Sequence, residues 1–232
     1  MTEVELFFKA ITDGSDAEVE ELLEKDARLA AQRNAAGVSA ILFALYQGKR
    51  GAVDLMLKQN PDLDVFEASV LANIDKLRSL IEGNENLLNT YSTDGFTPLH
   101  LACFFGKVAS AKYLVEAGAD TNAISLNGAD LRPINCAAAS RDLDSASELV
   151  QLLLKGGADI KATQKGGYSA LHSAAANGNV SLVTLLVKSG ADQYAKADGK
   201  TPLDFARERD RTEVVAVLSP KVAEVSGPAS IV

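Results

Sequence analysis

The sequence predicts an all-α solenoid of about seven helix–turn–helix units joined by short extended turns, on three observations. A motif recurs: Thr97-Pro98-Leu99-His100-Leu101-Ala102, Gly106 and Gly118-Ala119-Asp120 return as Ser169-Ala170-Leu171-His172, Gly178 and Gly190-Ala191-Asp192. Glycines mark a period, with 72 residues, or two units of 36, from Gly95 to Gly167 and 32 from Gly167 to Gly199. Between those glycines apolar residues fall at helical spacing, as Ala111, Leu114 and Val115 do. A helix pair this short cannot bury its apolar face alone, so each unit must stack on its neighbours.

The most regular unit, residues 95–130, shows how the chain builds one pair. Thr97 is placed to cap a helix, and Pro98 falls at its first position, where the missing N–H costs nothing and the fixed φ is already helical. That helix runs to about Phe105 and stops at Gly106; a second spans Val108 to about Ala117 and ends at Gly118, which is free to take the left-handed cap conformation.

The other units follow in order. Residues 3–36 carry a carboxylate-rich helix pair, through Glu5-Leu6-Phe7-Phe8 and Val19-Glu20-Glu21-Leu22-Leu23, and read as a polar N-terminal cap. Units follow at 37–64 and 65–94, the turn between them shortened because Asp62-Leu63-Asp64 replaces Gly-Ala-Asp. In the unit at 131–166, Arg132 to Gly157 is four residues longer than Thr97 to Gly118, which predicts a protruding loop near Ser140 to Ser145. The unit at 167–198 and a closing cap at 199–219, opened by Thr201-Pro202-Leu203-Asp204, complete an array over 3–219. Residues 220–232 lack periodicity and are expected to form a disordered tail, whose Ser230-Ile231-Val232 ending resembles the Ser-x-hydrophobic termini that add as a strand to PDZ domains.

The T-P-L-H-x-A signature, its period near 33 and the Gly-Ala-Asp boundaries resemble the ankyrin-repeat family, most closely over residues 95–123 and 167–195. The resemblance implies a monomeric curved rod that binds a protein partner on its concave face. It also implies structural roles for Thr97, Pro98, Leu99, His100, Gly118, His172 and Gly190, the histidines tying neighbouring loops by hydrogen bonds.

Composition narrows the function classes. The chain has 232 residues, 47% hydrophobic, and its net charge of −8 argues against general affinity for nucleic acid or anionic membrane. Residues 1–94 hold 9 Lys/Arg and 17 Asp/Glu, so one end carries the excess acid. The closest approach to a basic stripe, Arg207, Arg209 and Arg211, is interrupted by Glu208 and Asp210. No apolar run reaches membrane-spanning length, and acids crowd the first twenty residues where a secretory signal would be basic, so the expected location is cytoplasmic. Cys103 and Cys136, the only cysteines, are expected to be reduced and buried.

No cofactor and no catalysis are expected. His100 and Cys103 lie three apart on one helix, but zinc takes three or four ligands and the chain has two His and two Cys. Neither a Gly-x-Ser-x-Gly elbow nor a phosphate-cradling loop is present, and the glycines are accounted for by unit boundaries. The alternative is a small enzyme or ligand-binding protein with a site assembled across repeats.

The resemblance also locates a partner surface, since the residue after each boundary glycine and the two before the next line the concave face. Those positions hold Phe96, Phe104 and Phe105 in the central unit, Leu131 and Ser140 next, then Tyr168 and Asn177, with Tyr46 on one side and Glu208 and Arg209 at the far end. The stripe is apolar and aromatic at its centre, as in binding hot spots; the alternative is that Phe104 or Phe105 turns under the adjacent repeat and serves the core.

Overall fold

The structure, a computed structural model, describes residues 1–140 and 142–219. Among them the chain forms fourteen α-helices in seven antiparallel pairs and no extended strand. The pairs are α1 (Glu3–Asp13) with α2 (Asp16–Lys25), α3 (Ala40–Tyr46) with α4 (Arg50–Leu57), and α5 (Val65–Val70) with α6 (Ile74–Gly83). Then come α7 (Pro98–Phe104) with α8 (Val108–Glu116), and α9 (Pro133–Ala139) with α10 (Leu143–Lys155). Last are α11 (Ala170–Asn177) with α12 (Val180–Lys188), and α13 (Pro202–Glu208) with α14 (Thr212–Leu218). The expected disorder of 220–232 and the Ser230-Ile231-Val232 ending lie outside the described residues.

Odd-numbered helices pack on one another in sequence as one layer, and even-numbered helices form the second. Between most units the chain makes a tight hairpin turn before entering the next odd helix. The turns are held by backbone pairs such as Ser92 N–H to Phe96 C=O at 2.9 Å and Gln164 N–H to Tyr168 C=O at 2.9 Å. Neighbouring hairpins join edge to edge, Leu126 N–H donating to Gly95 C=O at 2.9 Å and Lys165 N–H to Ala129 C=O at 3.0 Å. The third unit has no hairpin: only residues 58–64 link α4 to α5, so Thr93 of the fourth hairpin sits directly against Gly37 of the second.

The core divides at the same place. One buried cluster, with Phe7, Ile11, Leu23, Ile41 and Met56, belongs to the first two units, and a larger one runs from Val65 through Leu99, Leu149 and Leu171 to Leu218. A small third cluster, Leu42, Val70 and Leu101, lies where the odd helices of units two to four meet. Helices α4 and α6 touch only marginally.

The four additional residues of the fifth unit do not form the expected protruding loop. The link between α9 and α10 is three residues, the same as that between α7 and α8, and α10 has 13 residues where α8 has 9. Four residues are close to one helical turn, so the insertion lengthens the helix while keeping Leu149, Val150 and Leu153 on the buried face.

Candidate protein-interaction face

The face shared by the odd helices and the hairpins is shaped by how each odd helix begins. A polar residue caps each odd helix, buried or half-buried in every case but Thr2, and in all of them except α3 the side chain three residues on turns back to the cap's N–H. In α7, Thr97 N–H donates to His100 Nδ1 at 3.3 Å and the Thr97 hydroxyl lies 2.7 Å from the same nitrogen. Nδ1 therefore accepts, which leaves the ring proton on Nε2, 2.9 Å from the Leu131 carbonyl of the next unit. His172 repeats this, with Nδ1 accepting from Ser169 N–H at 3.1 Å and Nε2 facing Lys200 C=O at 3.3 Å. Burial holds both imidazoles below the ordinary histidine pKa and keeps them neutral donors. Glu67 and Asp204 close the same loop on their own caps, Asp64 N–H to Glu67 Oε2 and Thr201 N–H to Asp204 Oδ2 both at 2.9 Å. Burial raises the Glu67 carboxyl pKa, with the Asp64 charge acting in the same sense.

On this scaffold the aromatic residues gather across the missing hairpin. Tyr46 of the second unit lies with its ring centroid 6.3 Å from Phe104 and 5.4 Å from Phe105 of the fourth, and these two rings meet edge to face at 5.2 Å. The Tyr46 hydroxyl donates to Asp94 Oδ2 at 2.7 Å, and Ser92 Oγ donates to the other oxygen of that carboxylate. Desolvation and the Asp94 hydrogen bond together raise the phenol's pKa, so it remains a neutral donor. Phe104 stays 44% exposed and Tyr46 37%.

The remaining residues singled out from sequence divide by environment. Phe96 and Phe105 pack against Leu42, Val70 and Leu101, and Leu131 packs against the larger core while its carbonyl receives His100. Ser140 is a correction: it is 2% exposed, its Oγ turned to Asp142 N–H at 3.3 Å, so its side chain is absent from the surface. Tyr168 is half-buried, its hydroxyl donating to Asp198 Oδ2 at 2.6 Å, and the Asn177 amide donates to Ala138 C=O at 3.4 Å. Glu208 is paired with Lys200 at 2.7 Å, and Arg209 is exposed. Of the structural residues, Gly118 and Gly190 take φ of +93°, and Pro98 and Leu99 are buried in the first turn of α7.

One residue of this face was missed. Phe205 on α13 lies 5.6 Å from Tyr168 and 5.7 Å from His172, and with Ala139, Ser173, Ala176, Asn177 and Arg209 these walls enclose a pocket of about 190 Å³. Its signal was an aromatic four residues after the cap Thr201, where α7 has Leu101 and α9 has Cys136. Among the described residues no three His, Cys, Asp or Glu gather as metal ligands, and no helix is long and apolar enough to cross a membrane.

Comparison with known proteins now identifies the architecture. A model of the ankyrin repeat matches residues 94–126, and a model of three consecutive ankyrin repeats matches 135–226, together more than half of the chain. The chain belongs to the ankyrin-repeat family. It is similar to the tyrosine-protein kinase HTK16 of Hydra vulgaris, 32% identical over 68% of this chain and 21% of the kinase. It is also similar to the B-cell lymphoma 3 protein homolog of Mus musculus, 35% identical over 61% of this chain and 31% of that protein. The ankyrin repeat and SOCS box protein 3 of Bos taurus is 31% identical over 73% of this chain and 34% of its own length. This ankyrin-repeat chain thus spans about a fifth to a third of these curated relatives. Ankyrin repeats indicate a protein-interaction module.

Proposed function

We propose that the protein is a non-catalytic scaffold that binds a partner protein along the concave face expected of an ankyrin array, the face of the odd helices and hairpins. The observation that carries this reading is the Tyr46–Phe104–Phe105 cluster: three aromatics in mutual contact, with Phe104 and Tyr46 open to solvent. Aromatic side chains bury large areas at small entropic cost, and an apolar centre with a polar rim is the anatomy of a binding hot spot. The reading extends to a cytoplasmic, monomeric protein without cofactor.

Phe104→Ser tests it. Phe104 lies at the exposed end of α7, so the variant is expected to keep the wild-type melting temperature while losing the proteins that wild-type bait captures from an extract of the source cell. A control on the even-helix layer, Lys112→Ser, is expected to retain them. Equal capture by Phe104→Ser and wild type places the partner surface elsewhere.

A further inference from the structure

The pocket between the fifth and seventh units has a chemistry of its own. Two aromatic rings, Tyr168 and Phe205, the edge of His172 and two alanines make most of its wall and favour an apolar group, with Ser173 and Asn177 as its polar part. Its volume of about 190 Å³ falls below the roughly 300 Å³ at which small-molecule sites begin, and suits one side chain of a peptide. The charges around it are unequal in their freedom. Asp198 is held by the Tyr168 hydroxyl at 2.6 Å, and Glu208 is paired with Lys200 at 2.7 Å, while the Lys200 ammonium stands 6.0 Å over the Phe205 ring. Arg209, exposed on the pocket wall, has no carboxylate within ion-pair distance among the described residues. Arg211 behind it spends its Nε on the Ala176 carbonyl at 3.2 Å and adds a second positive charge. The pocket therefore presents an apolar slot with an unneutralised guanidinium at its lip, and this arrangement is complementary to an apolar side chain next to a carboxylate.

We infer that this pocket takes an extended segment of a partner protein in which an aromatic or branched apolar residue is adjacent to Asp or Glu, the apolar side chain entering between Tyr168 and Phe205 and the carboxylate pairing with Arg209. The inference rests on the reading of this face as the partner surface and adds the chemistry of what is bound there.

The probe is a display library of random nine-residue peptides selected on the immobilised full chain. Wild type is expected to enrich Asp or Glu beside Leu, Ile, Val or Phe. Arg209→Gln, at an exposed position, is expected to keep the wild-type fold by circular dichroism and to bind the enriched peptides about tenfold more weakly. Arg209→Glu is expected to recover binding when the peptide acid is changed to Lys. Retention of the acid preference by Arg209→Glu, or failure of wild type to enrich any such peptide, overturns the inference. Peptides that need Phe104 but ignore Arg209 overturn it while leaving the concave-face reading intact; peptides indifferent to both overturn both.

Discussion

At the scale of single residues, the third position of each odd helix shows what one side chain contributes to a repeat array. His100 and His172 each satisfy three groups: they accept from the N–H and the hydroxyl of their own cap and give Nε2–H to a carbonyl of the next unit. Asn135 occupies the same place in α9 and does half of this. Its Oδ1 accepts Arg132 N–H at 3.0 Å, but its buried Nδ2 has no partner. The carbonyl left waiting is that of Tyr168, which receives Gln164 N–H alone, whereas Leu131 C=O receives both Ser125 N–H and His100. Asn135→His should supply the missing bond and remove the orphaned donor, a gain of about 1 kcal/mol. For a chain of this length that is a rise in melting temperature of roughly 2–4 °C. A scanning-calorimetry midpoint at or below the wild-type value would show that the ring does not reach Tyr168. The histidines and their motif were plain in the sequence; the orphaned amide was not, because a lost hydrogen bond becomes visible only once its would-be acceptor is located 33 residues away.

At the scale of elements, two glycines with similar backbone angles are required for different reasons. Gly118, φ +93°, faces open space, so a side chain there meets only the intrinsic strain of the left-handed region. Gly95, φ +83°, supports the hairpin contact, and a Cβ on it would stand 2.7 Å from Asn127 N and 2.9 Å from Leu126 C. Gly118→Ala should cost about 1 kcal/mol, the price of a non-glycine left-handed residue. Gly95→Ala should cost clearly more, because neighbouring backbones must separate, and urea titrations of the two variants compare them directly. Equal losses would mean that the hairpins yield freely. The start of α7 at Thr97 and Pro98 was readable because caps and prolines act locally. The protruding loop was misread because a motif count gives the length of an insertion and not its place, although Ala146, Leu149, Val150 and Leu153 already continue the helical period. The orientation of Phe105 was likewise beyond the sequence, since it depends on Leu42 and Val70 from two other units.

At the scale of the whole molecule, stability in a repeat array is the sum of unit terms and nearest-neighbour interfaces, so a weak interface divides it into folding units. The interface between the second and third units is weak in three respects: the buried core is interrupted, α4 and α6 barely touch, and a hairpin is absent. What ties the first four helices to those that follow is the Leu42–Val70–Leu101 cluster, the ion pair of Arg33 with the α5 cap Asp64 at 2.6 Å, that of Asp62 with Lys76 at 2.6 Å, and Tyr46 on Asp94. Hydrogen exchange should therefore show α1 to α4 opening together at lower free energy than α7 to α12, and 1 M salt, which screens the half-exposed Arg33–Asp64 pair, should widen the difference. Exchange of all helices at one common free energy would show that the junction transmits cooperativity intact. The sequence showed the shortened turn at residues 62–64, yet gave no sign that the core itself parts there, since the apolar positions continue on both sides of it.

The absent third hairpin also sets the reading frame of the surface. Seven helix pairs make six steps along the array while the hairpins skip one of them, so the two layers are in phase on either side of the third unit and shifted across it. Tyr46 therefore finds its hydrogen-bond partner and its ring neighbours two units ahead instead of one. A ligand with an even repeat fits the frame of the last four units or that of the first two, and a ligand spanning both must carry an irregularity of its own, a kink or a skipped residue, at the point where it meets Tyr46.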